Sequence, residues 1–294
     1  MNYAIRFVGM VFLTVGVILG ILTLYGQNNT PQSLKLSQGH FQIPTPLPSP
    51  SVTPLPSVSP SPSPLTFAQM NALYGPCAYV PTLFWHHIEN MDQAKAENHA
   101  QLTVATDVFQ KQMQYLHDKG YSVIPMASLI NFFDTGAGLP SKPILLTFDD
   151  GYSDFISDAL SILKQFGYPA TLFLPTGLAE NPGYVSWSSL NDANSNKILI
   201  ANHTWSHKSV ATDQATIEKE ITTADKQLAD HGFNSPKVFA YPYGNSNQFA
   251  VSVLAKNNYL LGFTTNPGST QCKQLRLQLP RVRIGNSNLN VYGF

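Results

Sequence analysis

Charge is scarce in this chain. Only 12% of its 294 residues are Asp, Glu, Lys or Arg, and 17 basic residues balance 17 acidic ones. That balance removes any broad electrostatic case for binding nucleic acid or anionic lipid. Cysteine is scarcer: Cys77 and Cys272 are the two present. Neither belongs to a C-x-x-C pair, which argues against a cysteine zinc site. No histidine follows His231, and no charged residue interrupts Phe7–Tyr25.

That uncharged run is long enough, at roughly 19 residues, to cross a bilayer as a helix. The segment after it, Gly26-Gln27-Asn28-Asn29-Thr30, offers no small-x-small cleavage site. An uncleaved signal anchor is therefore expected over residues 7–25, with a cleaved secretory signal peptide as the competing reading. Arg6 is the basic residue on the short leading side, so residues 1–6 are expected in the cytoplasm and the rest outside. Pro44 to Pro64 is almost entirely Pro, Ser, Thr, Leu and Val. Such a stretch builds no core and favours extended polyproline II. Residues 26–64 read as a disordered linker, a stalk of about 3.1 Å per residue where extended. The remaining ~220 residues suffice for one sizeable core.

Within that remainder, apolar runs alternate with amphipathic segments. Strands are expected at Tyr79–Trp85, Tyr121–Ile124, Pro143–Phe148, Ala170–Leu174, Lys197–Ala201, Lys237–Tyr241, Leu260–Thr264 and Leu279–Ile284. Helices are expected at Asp107–Lys119, Met126–Phe133, Asp154–Phe166, Asp213–His231 and Asn247–Asn257. This alternation argues for an α/β fold with a parallel sheet and helical crossovers.

Three apolar runs end in chemically capable groups. Pro143–Phe148 stops at Asp149-Asp150-Gly151-Tyr152. Adjacent carboxylates at the mouth of a buried strand repel and desolvate each other, which a divalent cation relieves. A turn in which the aspartates cap the next helix is the plainer alternative. Ile198–Ala201 stops at Asn202-His203-Thr204-Trp205-Ser206-His207. Imidazoles four apart can be aimed at one point by a helical turn or a tight loop. With one carboxylate they form a set suited to zinc or another first-row ion. The third run, Val238–Ala240, ends in Tyr241-Pro242-Tyr243-Gly244, a rigid turn able to present a backbone N–H to an oxyanion.

In this order the three segments resemble the polysaccharide deacetylase family (NodB homology, carbohydrate esterase family 4). The opening Pro81-Thr82-Leu83-Phe84-Trp85-His86-His87-Ile88 and the late Leu279-Pro280-Arg281-Val282-Arg283-Ile284 are similar to the poly-N-acetylglucosamine deacetylase branch. The resemblance implies a distorted (β/α) barrel of about seven strands, forming a catalytic domain at residues 77–294. It implies Asp149 as catalytic base, Asp150, His203 and His207 as ligands of one divalent metal ion, and Tyr243 as an oxyanion donor. Zinc comes first, with Co, Ni or Fe also admitted by the ligand chemistry. The activity implied is hydrolysis of N-acetyl groups on an amino-sugar polymer, poly-N-acetylglucosamine or peptidoglycan. An inactive glycan-binding relative and an O-acetyl esterase are the alternatives.

Two family features are absent. Many members carry a base-orienting arginine in the third segment, where this chain has Phe239 and Ala240. Arg281 or Arg283 is the expected substitute. The late histidine that many members use as general acid is also missing; the candidates are His86 or His87 at the end of the first strand, or no side chain at all, with His86 expected. Trp205, Tyr241 and Pro242 are expected to meet the sugar. Cys77 precedes the first strand and Cys272 precedes the last. Those strands adjoin in a closed barrel, so a disulfide is expected, with two free thiols as the alternative.

Overall fold

A computed structural model describes residues 64–294. The expected tail (1–6), membrane anchor (7–25) and nearly all of the linker (26–64) lie outside the described residues. No helix among the described residues is long and apolar enough to cross a membrane.

Twelve strands occur in this part: β1 (Cys77–Tyr79), β2 (Thr82–Trp85), β3 (His87–Glu89), β4 (Thr103–Ala105), β5 (Ser122–Val123), β6 (Pro143–Phe148), β7 (Ala170–Leu174), β8 (Ile198–Asn202), β9 (Val238–Ala240), β10 (Leu261–Pro267), β11 (Thr270–Cys272) and β12 (Leu279–Arg283). Seven of them, in the order β2-β12-β10-β9-β8-β7-β6, pair in parallel, and β6 returns to β2. The ring is therefore closed. β5 pairs with Pro143 and Ile144 at the start of β6, below the point where β2 takes over that edge at Leu145. The helices Thr106–Asp118, Met126–Thr135, Leu160–Phe166, Gln214–Asp230 and Gln248–Lys256 connect the strands.

Both faces of the strands are buried, which is why they read as continuous apolar runs. Leu145, Phe173, Ala201, Ala240, Phe263 and Leu279, one from each of six barrel strands, meet in one cluster. Their sequence neighbours Ile144, Leu146, Leu172 and Ile200 pack in another, with Phe109, Met113, Leu160 and Leu163 from the helices. The period of two along a strand produces this division. On β6, Leu145 and Thr147 share one parity with Asp149, so that carboxylate inherits the inward direction.

The single strand expected over Tyr79–Trp85 is two strands. Pro81 has no N–H for a ladder, and the chain breaks there between β1 and β2. β1 instead pairs with β11, in a register that sets Cys77 opposite Cys272. The two cysteines form a disulfide across a sequence separation of 195 residues. The bridge fastens the segment leading into β2 to the segment leading into β12, its neighbour in the ring. Closing so long a loop restricts the unfolded chain, so Cys272→Ser is expected to cost about 2–4 kcal/mol of stability. Urea denaturation of parent and variant checks this; equal midpoints would mean the bridge contributes nothing.

Candidate active site

The chemically capable residues cluster at the C-terminal ends of the barrel strands, the face on which such barrels carry their functional groups. Asp149 and Asp150 follow β6, His203 follows β8, Tyr241 follows β9, and His86 follows β2. A cleft of about 610 Å³ opens there.

Asp149 is buried, and its backbone N–H donates to the Trp85 carbonyl (2.9 Å). Its carboxylate receives two parallel N–H bonds from Arg281, at 2.8 and 2.7 Å. Arg281 is itself fully buried. Its Nε donates to the Thr264 carbonyl (2.9 Å), and its guanidinium lies 4.3 Å from the Phe84 ring centre. Burial alone would push the Asp149 carboxyl up, but the Arg281 guanidinium outweighs it and holds the group below the usual carboxylate range. Asp149 is thus an ionised, fixed acceptor.

The chain turns sharply after it. Asp150 (φ 73°) and Gly151 (φ 69°) are both left-handed. A Cβ on Gly151 would come within 2.5 Å of Leu174 Cδ1 and would sit on a left-handed backbone, so glycine is favoured there on two counts. The turn sends the Asp150 side chain toward two histidines. Its Oδ1 lies 3.3 Å from His203 Nε2 and 3.1 Å from His207 Nε2.

His203 and His207 are presented by a tight loop rather than a helical turn. Thr204 and His207 are left-handed. Glu220, buried on the helix Gln214–Asp230, holds the loop by accepting from the Trp205 N–H (3.1 Å), the Ser206 N–H (2.7 Å) and the Ser206 hydroxyl (2.7 Å). His203 Nδ1 lies 2.7 Å from the Ala240 carbonyl. A carbonyl only accepts, so Nδ1 carries a proton and Nε2 faces Asp150.

These three residues fit a metal ion. Oδ1 of Asp150 is buried and has no hydrogen-bond partner despite two nitrogens close by. At 3.3 Å, His203 Nε2 meets that oxygen either through a second ring proton or through a cation lying between them. One ligand atom from each of Asp150, His203 and His207 falls within 4.8 Å of the others. Burial works against ionisation of Asp150, yet the adjacent imidazoles hold its carboxyl well below the usual range. Burial would lower the His207 pKa, but Asp150 raises it above the ordinary value, so an ion competes with a proton there.

The other expected residues divide. His86 lines the cleft, while His87 belongs to a different cluster. Burial lowers the His86 pKa, against the opposing pull of Asp149 and Asp150, so the imidazole is neutral at rest. Tyr243 is two-thirds exposed at the rim with φ 60°, and its ring centre is 4.8 Å from that of His207. The adjoining Gly244 (φ 73°) lies so close to Thr265 that a Cβ would overlap its hydroxyl.

Pro242 is buried and outside the cleft lining. Tyr241 is buried too, with its hydroxyl donating to the Leu277 carbonyl (2.8 Å), yet it forms part of the cleft lining as expected. Trp205 is outside the cleft lining, with its indole against Gly177. Arg283 reaches the Gln101 carbonyl (3.0 Å) and lines the cleft; Arg281 alone of the pair bonds Asp149. Leu102, Tyr152 and Thr265, not singled out from sequence, also line the cleft. Tyr152 was legible, since it ends the Asp-Asp-Gly-Tyr segment. Leu102 and Thr265 carry no local signal.

A closed parallel barrel carries an arginine-bound carboxylate beside an Asp-His-His trio. A family model for polysaccharide deacetylase matches residues 136–262, so this part of the chain resembles that family. It is 27% identical over 208 residues to YxkH of Bacillus subtilis (strain 168), covering 70% of this chain and 72% of that one. It is 26% identical to the poly-β-1,6-N-acetyl-D-glucosamine N-deacetylase of Escherichia coli (strain K12), over 69% of this chain. The match spans only 36% of that longer protein. Among solved structures, the Streptococcus pyogenes deacetylase PplD in complex with acetate superposes with a TM-score of 0.64 at 26% identity, covering 70% of this chain and 92% of that one.

Proposed function

We propose that this chain is a metal-dependent N-deacetylase of β-1,6-linked poly-N-acetylglucosamine. On this reading it works outside the cytoplasmic membrane, held there by Phe7–Tyr25. The observation that carries the reading is the Arg281-bound Asp149 adjoining Asp150, His203 and His207 in one cleft. The choice of polymer rests on the relatives named for it. The disulfide supports an oxidising compartment.

Asp150, His203 and His207 would hold a divalent first-row ion, zinc first, with Co, Ni or Fe also suited to the donor set. When bound, the ion supplies Lewis acidity toward an amide carbonyl and a water molecule. Asp149 removes the proton of the attacking water; it is ionised and cannot rotate away because Arg281 grips both its oxygens. Tyr243 offers its backbone N–H to the oxyanion from a left-handed turn. His86 delivers a proton to the departing nitrogen. A neutral His86 would first receive that proton, and the one Asp149 takes from the water is the proton available, which leaves Asp149 ionised again as the amine departs.

The test uses residues 65–294 loaded with zinc, assayed for acetate release from four substrates. These are β-1,6-linked N-acetylglucosamine oligomers, peptidoglycan fragments, chitooligosaccharides and an O-acetylated sugar. The fastest release is expected from the β-1,6 oligomers. Preference for peptidoglycan would move the assignment to the cell wall, and preference for the ester would make the chain an esterase. No acetate from any of them, with metal bound, would leave a glycan-binding scaffold.

A further inference from the structure

A second cleft, of about 480 Å³, adjoins the first and shares Leu102 and Tyr152 with it. Three separate segments converge there. β3 contributes His87 and Glu89, two apart on one strand and so on one face. His99 follows the helix Met91–Ala96, and Asp154 follows the Asp-Asp-Gly-Tyr turn. His87 Nδ1 lies 2.6 Å from Asp154 Oδ2 and 3.7 Å from Glu89 Oε1. His99 Nε2 contacts that same Glu89 oxygen. One ligand atom from each of His87, Glu89 and His99 lies within 4.8 Å of the other two.

The charge balance of this pocket is unusual. Glu89 is 7% exposed, and the Asp154 side chain is 13% exposed. Glu97 and Asp158 line the same cleft, and no lysine or arginine does. The buried Glu89 and half-buried Asp154 need a positive or donating partner, since burying uncompensated charge is costly. The Ile88 N–H donates to Asp154 Oδ1 (3.0 Å) and the Thr103 hydroxyl to Glu89 (3.4 Å). For the remaining charge the available partners are two imidazoles or an ion. The His87 ring stacks on His99 (4.2 Å between centres, 8° between planes) and on Tyr152 (3.7 Å). Parallel rings cannot both aim an in-plane lone pair at one point, so an ion here requires the partly exposed His99 to turn out of the stack. Imidazoles with adjacent carboxylates are the donor set that zinc and similar ions take.

We propose that His87, Glu89 and His99, together with Asp154, bind a second divalent first-row metal ion, distinct from the one beside Asp149. This ion ties β3, the His99 segment and the start of the segment after β6 into one wall. Through Tyr152, that wall is shared with the catalytic cleft. Its role is structural: it fixes the side of the cleft along which a polymer would lie.

The experiment is zinc stoichiometry on the full chain, equilibrated with zinc, freed of excess, and measured by plasma mass spectrometry. Two ions per chain are expected for the parent. One is expected for His99→Gln, for Glu89→Gln and for Asp150→Ala, and none for His99→Gln combined with Asp150→Ala. Added zinc should raise the Tm of Asp150→Ala and leave that of the double variant unchanged. Circular dichroism confirms folding, and the partly exposed His99 makes His99→Gln the variant least disruptive to packing. A parent holding one ion, lost in Asp150→Ala and kept in His99→Gln, would overturn the second site. The reverse pattern would instead overturn the catalytic metal assignment and leave this site standing.

Discussion

Asp149→Asn is expected to keep its metal and to release acetate at least about a hundredfold more slowly, the scale of losing a positioned general base. Asp150→Ala is expected to lose metal and turnover together. The two residues are neighbours in sequence, yet the backbone turns them into different surroundings. Asp149 faces inward on the parity of Leu145 and Thr147, and Arg281 fills its hydrogen-bonding face. Asp150 is rotated by its left-handed φ toward His203 and His207, with Oδ1 unpaired. An amide at position 149 preserves shape but accepts no proton from water. Metal content and initial rates on the same preparations separate the two effects. Equal metal loss in both variants would show that the pair had been assigned the wrong way round.

Arg281→Met is expected to be nearly as damaging, by a different route. The guanidinium fills the barrel interior and is the counter-charge of Asp149. Removing one partner of a buried pair typically costs ~3–5 kcal/mol, because the other charge stays buried and unpaired. In the parent chain the Asp149 pKa is depressed. Its stabilisation is present above the ordinary carboxylate range and is lost as pH falls through the lower folded value. Without Arg281, burial dominates and the carboxyl titrates above its ordinary value. The acid limb of the rate profile should therefore move to higher pH. The stability gap between parent and variant should narrow as pH falls and Asp149 becomes neutral. Arg281→Lys should restore charge but not the two-pronged contact, and so recover stability better than turnover. Unchanged acid limbs in both variants would remove Arg281 from the mechanism. Arg283→Ala, which loses the Gln101 contact and a cleft-lining charge but no bond to Asp149, serves as the comparison for the Asp149 acid limb.

The barrel strands were the most legible part of the chain. β6 and β7 begin and end where their apolar runs do, because a strand buried on both faces leaves no polar interruption. The helix starts read at Asp213 and Asn247 are cap residues: their side chains accept from the N–H groups of Thr216 and Ala250. Short peripheral elements left no such trace. The helix Trp187–Ser195 buries only Leu190 and Ala193, and is begun by a hydrogen-bond exchange between Ser186 and Ser189. β3 is three residues long and fully buried, so its polar His87 and Glu89 hid it. The expected helix Asp154–Phe166 opens with a π turn over Phe155–Ala159.

The site was legible where chemistry and strand ends coincide, and illegible where depth decides. Arg281 and Arg283 share a face of β12, and only burial distinguishes the one that reaches Asp149. Tyr241 lines the cleft, but its depth was not legible: its ring packs against Phe239, their centres 5.0 Å apart, and its hydroxyl is satisfied by Leu277. Glu220, which shapes the histidine loop, is 13 residues beyond His207 on a helix and has no motif to announce it.

The guanidinium that restrains Asp149 comes from a strand 132 residues further along the chain. Only the seam where β12 lies between β10 and β2 brings acid and counter-charge together, so any loosening of that seam releases the acid without touching it.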